Sequence, residues 1–307
     1  MATQRVLITG ANGLLGQKLI NLYGQHPEYT VLATGRGSYR LSVTYPHISY
    51  STMDITNAAE VAAVFDVFKP DVVIHTAAMT NVDECELNRE GCVAQNVDAT
   101  SYIAKACEAH HAFLLHLSTD FIFDGTSGPY SEEDLPNPIS FYGESKLKAE
   151  QIVQQSACKW AIARTVLVFG IAEDMSRTNI VLWVKGSLEA GKPIKVVNDQ
   201  WRTPTLAEDL AMGCFLIAKG KHQGIFNISG EEMLTPYDMA QVTAAYFNLD
   251  ASLIDKADAS SFTQPAKRPP KTGFVLSKAK TQLGYQPHTF MQGLEILDKQ
   301  LKSKAAK

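Results

Sequence analysis

No stretch of this 307-residue chain is apolar for long enough to cross a bilayer. The first residues, Met1 to Thr9, run into a short apolar segment with neither a basic leader nor a core of signal-peptide length. The two absences together argue against a membrane or exported protein and lead to the expectation of a cytoplasmic one. Cysteine is scarce: Cys85, Cys92, Cys107, Cys158 and Cys214 are an odd, scattered set without the tight pairs of a structural zinc site. Reduced thiols used for packing are expected, and no metal site. Excess charge is missing as well, since 28 basic and 32 acidic side chains are interspersed for a net charge of -4. Nothing here suits nucleic acid or an anionic membrane surface. The one basic cluster, Lys299, Lys302, Lys304 and Lys307, reads as a solvated helix end.

What is present is alternation. Arg5 to Thr9 is a β-branched apolar run that ends in Gly10 and is followed by Leu14, Leu15, Leu19 and Ile20 at spacings that fit one helical face. Strands at Thr30 to Thr34, Asp71 to His75, Phe113 to Leu117 and Trp160 to Arg164 then alternate with helices at Asn57 to Phe68, within Val93 to Ala109, and Phe141 to Gln155. This order predicts an α/β fold: a Rossmann-like doubly wound parallel sheet with a smaller C-terminal substrate-binding lobe. The dinucleotide-binding domain is placed at residues 1–170, with a strand returning near 225–228. Residues 171–307 are then mainly the second lobe, discontinuous in sequence, which reads as loops and short elements.

Gly10-Ala-Asn-Gly13-Leu-Leu-Gly16 lies between the first strand and the first helix. A chain that turns sharply there and approaches a diphosphate needs glycine, and the helix N-terminus offers free N–H groups to the phosphates. At the end of the second strand stands Gly35-Arg36 where NAD-selective sites place a carboxylate. Arg36 either binds a 2′-phosphate, favouring NADPH with NADH still open, or faces solvent. Asp54-Ile55 either holds the adenine edge or caps the helix that follows.

Tyr142 and Lys146 are four residues apart and share a helical face. A cation beside a phenol favours the phenolate, so Lys146 together with the oxidised nicotinamide is expected to lower the Tyr142 pKa and make it a proton donor near neutral pH. Ser118-Thr119-Asp120 follows a strand at the sheet edge where open α/β sheets bind ligands. His110, His111 and His116 read as packing or surface residues. Glu132-Glu133-Asp134 reads as a solvated loop near the site mouth.

Gly10 to Gly16, Thr119, and Tyr142 with Lys146, in this order, resemble the extended short-chain dehydrogenase/reductases. His75 to Asp83, Leu117 to Gly125, Pro138 to Lys146, Asp199-Gln200 with Pro204-Thr205, and Arg268-Pro269 narrow the resemblance to the dTDP-4-dehydrorhamnose reductases, over nearly the whole chain. The resemblance implies that Thr119, Tyr142 and Lys146 are catalytic. It places Gly10, Asn12, Gly13, Leu14, Leu15, Gly16, Arg36, Asp54, Ile55, Ala77, Ala78, Tyr142 and Lys146 on the cofactor. Thr80, Val82, Thr119 and Asp120 would face a nucleotide-linked 6-deoxy sugar whose 4-keto group is reduced. Arg202 either clamps the diphosphate or pairs with a carboxylate between the lobes. Leu167 stands where the family has a tryptophan. Two further readings follow from the same resemblance: a nucleotide-sugar epimerase or dehydratase, for which Phe121 after Asp120 breaks the needed acid pair, and a regulatory NADP-binding subunit like the β subunit of methionine adenosyltransferase. A homodimer is compatible with the family.

Overall fold

A computed structural model describes residues 3–175 and 178–305; Lys307 of the basic cluster lies outside them. Among the described residues eleven strands follow one another: β1 (Gln4–Thr9), β2 (Tyr29–Gly35), β3 (Ile48–Thr52), β4 (Val72–His75), β5 (Phe113–Thr119), β6 (Trp160–Thr165), β7 (Val168–Phe169), β8 (Ile194–Val197), β9 (Thr205–Leu206), β10 (Gly224–Asn227) and β11 (Ile254–Ala257). Seven of them form one parallel sheet in the order β10-β6-β5-β4-β1-β2-β3. The order reverses between β1 and β4, and the crevice at such a reversal is where doubly wound sheets take their ligands.

Burial on both faces explains the apolar runs. All seven residues of β5 are buried, as expected of a central parallel strand covered by helices on each side. Ile8, Ile74 and Leu115 point into one layer with the helices Leu14–Gly24 and Ala207–Gly220. Leu7, Val73 and Leu114 point into the other with Ala58–Phe68, Ala99–Ala109 and Phe141–Gln155. Against this apolar background Thr9, His75, His116, Ser118 and Thr119 are the buried polar exceptions at the C-terminal ends of β1, β4 and β5.

Two local readings change. The helix placed within Val93 to Ala109 starts at Arg89 and passes through a π turn over Ala94–Asp98. The wide turn aims the Asn96 amide inward, onto the Met79 backbone and the Ser145 hydroxyl. The chain after residue 170 is also more helical than its prolines suggest: Ile180–Glu189, Pro236–Tyr246 and Phe290–Ala305 build two further small cores with β8, β11 and the β7–β9 pair. All five cysteines are buried and none forms a disulfide. No helix of the described residues is long and apolar enough to cross a membrane.

Candidate active site

The turn after β1 is built around space that only hydrogen can fill. Gly10 has φ +70°, and a Cβ there would lie 2.6 Å from Thr76 Oγ1 and 2.8 Å from Ala77 N. The Gly13 N–H closes the turn on Gly10 O at 2.9 Å, and a Cβ on Gly16 would collide with the same carbonyl. The helix Leu14–Gly24 then begins on Gly13, which supplies no side-chain cap. Its first N–H groups are left for a ligand, and their dipole suits an anion. Asn12 ties the next loop to this turn: its Nδ2 donates to Ser38 O (3.0 Å) and the Tyr50 hydroxyl (3.2 Å), and its Oδ1 accepts from Arg40 N (3.1 Å). Arg36 and Arg40 are thereby held, exposed, on the rim of the same cleft. Asp54 also lines the cleft, but it does not cap the following helix; Asn57 does, accepting from Ala59 N and Glu60 N. Instead Asp54 closes a turn on Thr56, whose backbone N–H, with help from its hydroxyl and from nearby Arg36, holds the carboxyl below its usual range.

Tyr142 and Lys146 sit on the helix Phe141–Gln155, fixed at its start by the Ser140 hydroxyl accepting from Gly143 N at 3.2 Å. Gly143 allows the helix to press against β5's exit, because a Cβ there would meet Phe121 O. Lys146 is 3% exposed and donates to Leu117 O (2.5 Å), with His116 Nε2 at 3.3 Å. Burial pulls its pKa down to about 8, opposed by Glu150, Cys92 and Cys85. Lys146 by itself does not lower the Tyr142 pKa. Burial raises the phenol, the Thr119 hydroxyl beside it works the other way, and Asp120 and the Cys85 and Cys92 thiols add to the rise. The ammonium aims at β5, so desolvation of the phenol wins.

Thr119 donates to Asp120 Oδ1 at 3.1 Å and accepts from Phe121 N at 3.3 Å. Asp120 is 2% exposed and is also bonded by the Thr272 hydroxyl. Of the two readings of Arg202, the geometry favours the carboxylate: Nε lies 3.9 Å from Asp120 Oδ2, while Nη1 and Nη2 donate to Trp201 O (2.7 Å) and Pro269 O (2.8 Å). A guanidinium so engaged has few donors to spare for a diphosphate.

All the residues given a catalytic, cofactor-binding or substrate-binding role from the sequence line one cleft of about 890 Å³. Gly10, Asn12, Gly13, Leu14, Leu15, Gly16, Arg36, Asp54, Ile55, Ala77 and Ala78 form its β1–β4 side. Thr80, Val82, Thr119, Asp120, Tyr142 and Lys146 form the far end, with Arg202 reaching in from the second lobe. Sequence reasoning assigned no role to Arg40 or Arg268, which also line it. Arg268 donates to Asp83 Oδ2 (2.7 Å) and Ala266 O (3.0 Å), joining a proline-rich segment to the helix Val82–Leu87. Leu167, at φ +33°, is part of the wall. Glu132, Glu133 and Asp134 are not; Glu132 instead accepts from Asn227 N on β10 at 2.9 Å. His110 faces Asp66 at 3.2 Å. Among the described residues no group of three or more His, Cys, Asp or Glu side chains is placed to hold a metal.

Residues 4–302 match the family model described as the RmlD substrate binding domain. The dTDP-4-dehydrorhamnose reductase of Aggregatibacter actinomycetemcomitans is 32% identical over 304 residues, covering 95% of this chain and 97% of its own. The methionine adenosyltransferase 2 subunit beta of Xenopus tropicalis is 34% identical over 254 residues, covering 81% and 74%. The crystal structure of the dTDP-4-dehydrorhamnose reductase of Bacillus anthracis in complex with NADP superposes with a TM-score of 0.84 at 26% identity, over 97% of this chain and 100% of that one. With a family model spanning nearly its whole length and a parallel sheet whose reversal carries an uncapped glycine turn, the chain belongs to the RmlD substrate binding domain family.

Proposed function

We propose that this protein is an NADPH-dependent oxidoreductase, with NADH as an alternative donor, that reduces the 4-keto group of a nucleotide-linked 6-deoxy sugar in the manner of the dTDP-4-dehydrorhamnose reductases. One observation carries this reading: the Tyr142 phenol and the Lys146 ammonium line the same cleft as the uncapped glycine turn. The residues fit a dinucleotide. The turn admits no Cβ at Gly10, the free helix N–H groups suit a diphosphate, and Arg36 with Arg40 suits a 2′-phosphate. When bound, the cofactor supplies the hydride; the chain supplies position, charge and a proton.

Tyr142 keeps its proton in the free site and hands it to the substrate oxygen as charge develops there. Thr119 turns its hydroxyl from Asp120 toward the same oxygen and orients the carbonyl. Lys146 has three N–H groups; two are taken by Leu117 O and His116 Nε2, and the third is available to a ribose hydroxyl or to the phenolate that Tyr142 becomes. Thr80, Val82, Asp120 and Arg202 form the sugar end, with residues 171–307 contributing the substrate lobe.

The test is to follow NAD(P)H absorbance with a panel of nucleotide keto sugars, then repeat it with Tyr142→Phe. The parent protein should oxidise NADPH with a 4-keto sugar, and the variant should lose about 10²- to 10⁴-fold in kcat. No oxidation with any sugar would overturn the assignment. The likeness to the methionine adenosyltransferase β subunit supports a second reading, a regulatory subunit. Stoichiometric co-purification with a methionine adenosyltransferase, together with no turnover of keto sugars, would favour it.

A further inference from the structure

Behind Lys146 runs a row of polar side chains that touch neither substrate nor cofactor in the proposed chemistry. The parallel register sets Thr9 beside His75 and His75 beside His116, on β1, β4 and β5. Because side chains alternate faces along each strand, all three point to the side on which the helix Phe141–Gln155 packs. Both imidazoles are 1% exposed, with ring centroids 5.5 Å apart. Thr9 Oγ1 lies 2.8 Å from His75 Nδ1, and His116 Nε2 lies 3.3 Å from Lys146 Nζ. Two buried imidazoles in the middle of a sheet cost free energy wherever a ring nitrogen lacks a partner, as His75 Nε2 and His116 Nδ1 do among the described residues.

The donor inventory settles the direction of the last bond. An ammonium offers only N–H groups, so the nitrogen facing it must accept, which puts the His116 ring proton on Nδ1, a buried atom with no acceptor of its own among the described residues. We propose that His116 is a positioning residue for the reductase site: as a neutral imidazole it accepts from the Lys146 ammonium and, with Leu117 O, aims the remaining N–H of that cation into the cleft. The kinetic consequence rests on the reductase reading; the hydrogen bond itself does not. Burial, with the Lys146 charge beside it, keeps His116 neutral well below its ordinary range, and His75 is held down, to about 3, by the same two causes. Lys146 is also faced by Glu150 on its own helix, by Cys85 and Cys92 on the short helices, and by the His75–His116 row on the sheet. Of these, His116 and Leu117 O are its hydrogen-bond acceptors among the described residues.

Three measurements test this. In the parent protein, ¹⁵N NMR of the histidines should show His116 protonated on Nδ1, with Nε2 a hydrogen-bonded acceptor and no titration between about pH 5 and about pH 9; a proton on Nε2 would overturn the proposal. In His116→Phe, ¹³C NMR of the Lys146 side chain should show titration about one unit or more lower than in the parent, since the charged form has lost an acceptor. Steady-state kinetics of that variant should show kcat reduced about tenfold or more with a smaller change in KM for the sugar, and His116→Gln, which restores an acceptor oxygen, should recover most of the loss. A Phe variant that binds NADPH and changes neither the lysine titration nor kcat would sink the idea. If the Phe variant does not fold, the tautomer in the parent protein still decides. If the parent turns over no keto sugar, the reductase reading fails, while the two NMR measurements still decide whether His116 holds Lys146.

Discussion

In the proposed reduction Tyr142 serves as proton donor because its environment resists ionisation. A donor must arrive at the reaction with its proton, and burial ensures that it does. Lys146 sets the other limit. Its charge is present below about pH 8 and lost above it, so kcat/KM should fall on the alkaline side in that range, measurable with a pH series at saturating NADPH. The buried histidines act on stability rather than rate. His75 takes a proton near 6.5 in the unfolded chain but only near 3 in the fold, and His116 is displaced in the same direction. The unfolded state therefore binds protons that the native state refuses, so stability is complete above about pH 6.5 and declines as the pH falls toward 3. Urea midpoints at about pH 7.5 and about pH 5 should differ in that sense. At the rim, Arg36→Ala should weaken NADPH by about tenfold and leave NADH nearly unchanged, as read by fluorescence titration with each cofactor, because only one of them carries the 2′-phosphate.

The strand, turn and helix at the chain start act as one unit. Gly10 cannot be replaced without strain, since its φ of +70° and the nearby Thr76 hydroxyl and Ala77 backbone both oppose a Cβ. Gly10→Ala should cost about 1–3 kcal/mol of stability and lose most NADPH affinity, measured by denaturant unfolding and titration. This element was legible because its signal is local: β-branched residues, three glycines and an amphipathic run at fixed spacings between Arg5 and Ile20. The helix carrying Tyr142 and Lys146 was legible for the same reason, and its observed limits are Phe141–Gln155. The π turn around Asn96 was not. One extra residue in a turn leaves almost no trace in the spacing of apolar positions, and it is held by contacts to Met79 and Ser145, far along the chain.

At the scale of the whole molecule, the cleft is closed by contacts between distant segments. Arg202 holds Pro269 O and lies near Asp120, while Thr272 bonds the same carboxylate, so the end of β5 is joined to two parts of the second lobe. Arg202→Met would leave a buried carboxylate without its cation and should destabilise the protein by about 3–5 kcal/mol, with Asp120→Asn in that background recovering part of the loss. Thermal melts of the two single variants and the double variant check this. Local patterns in the sequence were enough to determine the alternating α/β order, the glycine turn and the tyrosine–lysine spacing, because each is written within one or two elements. Only the tertiary structure decided that Arg202 is engaged by Asp120 and backbone carbonyls instead of being left for a diphosphate, that Arg268 reaches the cleft, and that burial raises the Tyr142 phenol. Those outcomes depend on how much water many separate segments exclude together, a sum that no short stretch of sequence contains.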